Sequence, residues 1–305
     1  MALFSFLVAI LVERFKVLPL SLQFDQLLTR YHQALFGDNQ LNQQGWLLLA
    51  LVLPSVTVAV ALYVVQGLFW GALSLVLWVV VAILCFSHLE QRQVFKRYIQ
   101  AACRGDLQAC YHYAGQLDCS ECLDAVDSRD LGLKVGQSVA WINYRYYGAI
   151  ALFFILLGPI GAVFYCTVRY YDEERQRRDL DISLVERLLF VLDWLPSRLF
   201  SFGFALCGEF NRGFSVWRQL AFNPKVCARQ LVAETAMAAQ VLSFAVKAPE
   251  SLQVSDAHGE DAQPTVNPAA NLELEPTLAM LALSKRNFIL LVTLLSLLTI
   301  FGVVN

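Results

Sequence analysis

From Trp46 to Phe86 the chain runs 41 residues without a charged side chain. As helix, that length is ~62 Å, about twice the ~30 Å hydrocarbon core of a bilayer. Gln66-Gly67 offers the natural break. The pattern predicts a helical hairpin over 46–65 and 68–86. Pro54 kinks the first member, which membrane helices tolerate where neighbours satisfy the freed carbonyl. Trp46, Trp70 and Trp78 supply rings suited to a membrane–water boundary. Composition agrees with a membrane setting. Hydrophobic residues make up 57% and charged residues 16%, against ~45–50% and ~25% in soluble domains. These values exclude an ordinary soluble enzyme, a disordered chain and a small disulfide scaffold. A net charge of −2 gives no basic surface for tracking phosphates, so the expected partner is the lipid bilayer and not nucleic acid.

Phe288–Val304 is a second span, 17 uncharged residues preceded by Lys285 and Arg286. The positive-inside rule puts its start in the cytoplasm. Met1–Val12 is apolar but too short to cross alone. It reads as a retained anchor continuing past Glu13, Arg14 and Lys16, or as a tilted interfacial helix. Gly148–Val168 is 21 uncharged residues with Gly158-Pro159-Ile160-Gly161 at its centre. Two glycines around a proline interrupt a helix. The segment is therefore one kinked span or a re-entrant hairpin of two half-helices. Seven Lys/Arg lie in residues 87–147 and four in residues 169–183. Only the re-entrant form keeps both groups on the cytoplasmic side, and it is the favoured reading.

The expected fold is an all-α polytopic integral membrane protein. It has about four transmembrane helices plus a broken or re-entrant helical region. The divisions are 1–86 (N-terminal membrane helices and hairpin), 87–147 (cytoplasmic helical loop) and 148–207 (broken region). A cytoplasmic helical segment (208–246), a disordered acidic linker (247–286) and a C-terminal span (287–305) follow. Pro249, Pro264, Pro268 and Pro276 among six acids carry the linker reading. In the 87–147 loop, Arg104-Gly105 breaks an amphipathic helix and Asp106 caps the next.

Three constellations carry possible chemistry. Trp141–Tyr147 packs four aromatics with Asn143 and Arg145. It reads as an aromatic belt with a snorkelling Arg, or as an anion site at the mouth of the bundle. Asp193 and Arg198 sit inside the apolar 188–207 stretch, which is either a polar-containing span or an interfacial amphipathic helix. Tyr170–Asp179 mixes acids and arginines and reads as a solvated face, or as paired acids able to hold Mg²⁺. Cys119 and Cys122 form a lone CxxC near Cys103, Cys110 and His112, too little to predict zinc. Cys85, Cys166 and Cys207 read as small packing residues. No phosphate loop, nucleophile elbow or HExxH motif occurs.

The segments MALFSFLVAILVERF, RYIQAACRGDLQA, SVAWINYRYYGAIALFF and LLFVLDWLPSRLFSF resemble the AmpE family. These are inner-membrane proteins of Gram-negative bacteria associated with β-lactamase induction, whose usual companion is an amidase of peptidoglycan recycling. A more distant similarity links this family to the CobD/CbiB membrane enzymes, which use ATP to join an amino-alcohol to a cobyric acid side chain. The shared frame is Ser128-Arg129-Asp130, Asn143, the Gly158-Pro159-x-Gly161 break, the Asp172–Arg175 run and Asp193-Trp194-x-Pro196-x-Arg198. With the re-entrant form, the resemblance implies that Asp130, Asn143, Glu174, Arg175 and Arg198 gather at one membrane face, and with Arg129, Arg145 and Asp193 they make the expected ligand site. Where the enzymes carry acids beside the Asn, this chain has Ile142 and Tyr146, and their Gly-Asp-Pro and His-Pro elements are missing. The expectation is therefore a multi-pass regulator of the inner membrane, acting in β-lactamase induction and the response to antibiotics. It would have no catalytic residues, metal or cofactor. Its partners would be signalling or peptidoglycan-recycling proteins. The alternative is an ATP-dependent amide-forming enzyme, which would bring Mg-ATP as cofactor. A transporter ranks last, because no second broken segment matches the first.

Overall fold

A computed structural model describes residues 2–15, 19, 23–35, 44–66, 71–117, 125, 128–178, 182–240 and 268–302. Cys119, Cys122 and residues 247–267 of the expected linker lie outside these. Every element among the described residues is helical: α1 (Ala2–Phe15), α2 (Phe24–Leu35), α3 (Gln44–Val65), α4 (Ala72–Phe86), α5 (Leu89–Cys103), α6 (Leu107–Gln116), α7 (Ser128–Asn143), a π-helical turn (Tyr144–Gly148), α8 (Ala149–Arg178), α9 (Ser183–Cys207), α10 (Phe210–Ala221), α11 (Ala228–Ala239) and α12 (Pro268–Ile300). Five stretches are long and apolar enough to cross a membrane: Gly45–Val65, Ala72–Cys103, Arg129–Arg178, Ser183–Cys207 and Leu274–Ile300. The chain is a multi-pass membrane protein.

The third of these stretches is not a straight rod. Gly158 has φ 71° and ψ −165°, a backbone region open essentially to glycine alone. Pro159 follows as the first residue of the returning half, where its missing N–H costs nothing. Contacts across the break pair residues whose numbers sum to nearly the same value. The Phe153 and Tyr165 rings stack at 4.9 Å, Arg145 meets Asp172 at 3.0 Å, and Tyr146 meets Glu173 at 2.9 Å. Only an antiparallel fold-back does this, so Tyr144–Leu157 and Pro159–Arg178 are two arms of a hairpin. The first arm is ~21 Å long, short of the ~30 Å core. At the tip, Leu156 and Leu157 are exposed apolar side chains. There the Trp78 ring of α4 lies 3.2 Å from where a Gly158 Cβ would stand.

Helices α1, α2, α3, α4 and α9 pack on the hairpin, and α12 reaches its base where Phe288 meets Tyr147. Helix α1 is 14 residues, ~21 Å, and too short to span. It runs alongside α4–α5, with Phe6 against Phe86 at 5.2 Å and Glu13 bonded to Arg92 at 3.0 Å. Beyond the hairpin base, α5, α6 and α7 share a second apolar core that includes Tyr98, Cys110, Leu131 and Val135. Asp106 caps α6 by accepting from the Ala109 N–H at 3.0 Å, as its position after the glycine predicts.

The acidic linker needs a correction. Residues 268–286 are the first half of α12, not disordered chain. Pro268 sits in the first turn, where proline is tolerated. Leu274, Met280 and Leu283 are buried and give the segment an apolar face that its acids conceal in a composition count. Thr277 donates to the Gly132 carbonyl at 2.8 Å, and Gly136 leaves room for Met280 beside it. Helices α7 and α12 therefore run parallel, α7 leading into the first arm of the hairpin and α12 into the last span.

Candidate functional site

The hairpin base carries a layer of charge in which Arg145, Arg169 and Asp172 are buried while Asp25, Glu173 and Arg175 are partly exposed. Arg169, on the returning arm, is fully buried. Its guanidinium donates to Asp25 Oδ1 of α2 at 2.7 Å and lies 3.5 Å from Glu173. It also stacks 4.4 Å above the Tyr146 ring and stands 3.4 Å from His88 Nε2. Arg145, on the π-helical turn, bonds Asp172 and sits 3.6 Å from Glu173. Asp172 also accepts from Arg175 at 3.2 Å and from Gln176 at 3.0 Å. The π turn matters here. One extra residue per turn rotates the following arm, and such turns recur at functional sites.

Three arginines thus face three carboxylates across α2, the α4–α5 junction and both hairpin arms. A buried charge survives only when paired and hydrogen-bonded, and this layer satisfies that condition between elements far apart in sequence. Above it, Asp193 of α9 accepts from the Tyr144 hydroxyl at 2.7 Å and the Tyr165 hydroxyl at 3.0 Å. To one side, Tyr147 donates to Glu13 at 2.7 Å, tying α1 to the same layer. A small pocket of about 40 Å³ opens between α2 and the layer, lined in part by Gln23, Asp25, His88, Gln91, Tyr146 and Glu173. Among the described residues, the Gln23 amide nitrogen and the Gln91 amide oxygen have no hydrogen-bond partner. The pocket has room for water to serve them.

Asp25 shows how the charges balance. Burial works to raise its pKa, but the Arg169 guanidinium and then His88 outweigh burial and hold it below the ordinary carboxylate range. A depressed carboxylate adds stability that is complete above its unfolded value near 3.9 and fades as pH falls through the folded value. Thermal unfolding in detergent should therefore shift down as pH falls below about 4, and Asp25→Asn should lose that acid-limb shift. An unchanged acid limb in Asp25→Asn would contradict the assignment.

The structure distributes the residues singled out from sequence. Arg145 and Arg175 meet at Asp172, and Glu174 lines the adjacent pocket while pairing with Arg178. Asp193 joins the layer through Tyr144, not through Arg198. Arg198 donates to the carbonyls of Trp194, Ala221 and Asn223, which closes the C-terminal end of α10. Asn143 bonds the Val139 carbonyl of its own helix at 2.8 Å. Asp130 pairs with Lys134 at 3.2 Å, and Arg129 lies beside it at the start of α7. Asp130 and Asn143 are 13 residues apart on that helix, ~20 Å along its axis. The eight residues therefore do not form one site.

Two expectations change. Trp141, Tyr144 and Tyr146 are interior packing rather than a belt, and Arg145 is buried rather than snorkelling. The Tyr170–Arg178 run is the last two turns of α8, with Tyr170, Tyr171 and Asp172 buried. The sequence reading missed Asp25, His88, Arg169, Asp172 and Glu173 as one group. One signal existed: Asp25 is the only charged residue between Lys16 and Arg30, and a lone acid in an apolar stretch calls for a partner.

The chain matches the family described as regulatory signalling modulator protein AmpE over residues 1–255. It is similar to Protein AmpE of Shigella flexneri, 26% identical over 226 residues, which cover 71% of this chain and 78% of that relative. No solved structure matches it. The similarity to the CobD/CbiB enzymes is not shown by these matches. The family match takes in every residue of the hairpin and of the charged layer at its base, and the chain belongs to the AmpE family.

Proposed function

We propose that this chain is a non-enzymatic modulator of β-lactamase induction in the bacterial inner membrane. It acts, without a cofactor, in the response to antibiotics that disturb cell-wall recycling, and its partners are signalling or peptidoglycan-recycling proteins at the cytoplasmic face. Membership of a family of regulatory signalling modulators supports the reading. The observation that carries it is the commitment of the buried layer's charges to one another. Asp25, Asp172 and Glu173 each contact a guanidinium, which ties helices together instead of holding a base ready for a substrate proton. Helix α2 meets the hairpin through Asp25–Arg169, the Thr29–Tyr170 contact at 3.0 Å and the His32–Tyr171 contact, with Phe24 and Leu28 buried beneath. Docked and undocked α2 are the two states that a partner would bias.

The test is deletion followed by complementation in a β-lactam-inducible host. Loss of the gene should change induced β-lactamase activity severalfold. The wild-type chain should restore it, and Asp25→Asn, present in the membrane at equal level, should not. Induction that is the same with and without the gene removes the regulatory role.

A further inference from the structure

We propose that α10 is an interfacial helix that docks on acidic phospholipid headgroups of the bilayer holding the spans. The helix has 12 residues, ~18 Å, and cannot cross a ~30 Å core. It folds back antiparallel on α9. Phe202 packs on Phe214 and Trp217, and Arg198 clamps the far end. The rings of α10 form a ladder, with Phe210 on Phe214 at 5.2 Å and Phe214 on Trp217 at 5.8 Å. Phe222 meets Trp217 edge-on at 6.0 Å. The Trp217 indole N–H donates to the Arg198 carbonyl at 3.0 Å, which fixes the ring.

Both ends of this ladder stay open: Phe210 is 47% exposed and Phe222 is 77% exposed. The ladder continues the outer apolar face of α9, where Leu199 and Leu206 are also exposed. Asn287, beside Lys285 and Arg286 at the entry to the last span, donates to the Phe200 carbonyl at 2.9 Å, which puts this half of α9, and α10 packed along it, at the membrane boundary. Aromatic rings beside a polar helix face suit the headgroup boundary.

Charge selects the lipid. Arg218 is exposed one turn beyond Phe214, and Lys225 is exposed three residues past Phe222. Arg212 is taken by Glu209 at 3.2 Å, but among the described residues neither Arg218 nor Lys225 has an ion-pair partner. Two unpaired cations at the edge of an aromatic ladder complement a phosphate-bearing, net-negative headgroup.

The full chain in nanodiscs of mixed phosphatidylglycerol and phosphatidylcholine provides the test, read by native mass spectrometry of retained lipids. Wild type should retain phosphatidylglycerol preferentially. Arg218→Gln with Lys225→Gln should lower that preference about fivefold per cation removed, at unchanged thermal unfolding. In parallel, lipid brominated near the headgroup should quench a tryptophan component that Trp217→Phe removes. Equal retention of both lipids by wild type, or a preference untouched by the double variant, overturns the proposal. So does a Trp217 insensitive to lipid bromine but shielded when a second copy of the chain associates.

Discussion

Arg169→Ala is expected to destabilise the protein by about 3–5 kcal/mol, the loss typical of breaking a buried ion pair from one side. The guanidinium is fully buried and is the shared partner of Asp25, Glu173 and the Tyr146 ring. Its removal leaves Asp25 without its guanidinium and Glu173 with Arg145 alone, at 3.6 Å. Arg169→Lys keeps the charge but loses the planar fork and the ring stacking, so an intermediate loss should follow. The coupling is separable. In an Arg169→Ala background, Asp25→Asn should cost far less than in wild type, because the partner it would offend is gone. Thermal unfolding in detergent and yield in the membrane fraction both report the effect. A loss below about 1 kcal/mol for Arg169→Ala would mean that solvent reaches the layer and that it does not hold α2 to the hairpin.

Gly158→Val is the second large effect. A side chain at φ 71° and ψ −165° costs about 1–3 kcal/mol in backbone strain alone. A β-branched one adds a clash, because the Trp78 ring is 3.2 Å from the Cβ position. The two contributions can be told apart. Trp78→Leu should relieve the clash and leave the strain, recovering part of the loss but not all of it. Gly158→Ala should fall between wild type and Val. The measurement is again thermal unfolding, supported by cysteine labelling of the tip. Full tolerance of Val would show that the chain does not turn at this residue.

These expectations rest on parts of the molecule that the sequence disclosed unevenly. The long uncharged run and the Gly158-Pro159 break were readable because each is a local rule: length against a bilayer, and backbone freedom against a helix. The start of α12 was hidden because prolines and acids dominate its composition while its buried face is carried by a few residues such as Leu274, Met280 and Leu283. The charged layer was hidden for a different reason. A run such as Asp172-Glu173-Glu174-Arg175 looks solvated unless its partners are known: Arg145 lies 27 residues from Asp172, and the neighbouring Arg169 pairs with Asp25 144 residues away. Asp193 misled in the same way. The neighbouring Arg198 was the obvious counter-ion, yet the two tyrosines that hold the acid come from the hairpin arms, 49 and 28 residues off. Arg198 is spent on the end of a helix, a role set by tertiary folding that spacing does not record.

The meeting of the first helix with the last has a consequence for how the protein is made. Phe288 of α12 packs on Phe6 of α1 at 6.3 Å and on Tyr147 at 6.1 Å, and Asn287 donates to the Phe200 carbonyl at 2.9 Å. At ~5–20 residues per second of synthesis, the ribosome needs roughly 15–60 s between the two phenylalanines. Throughout that interval the fold-back segment has only its earlier neighbours for shelter. Its short first arm and mixed-charge base are poor cargo for release into lipid. The insertion machinery must therefore retain an unfinished bundle until the final span emerges, and a product truncated before α12 presents membrane proteases with a substrate that never closes.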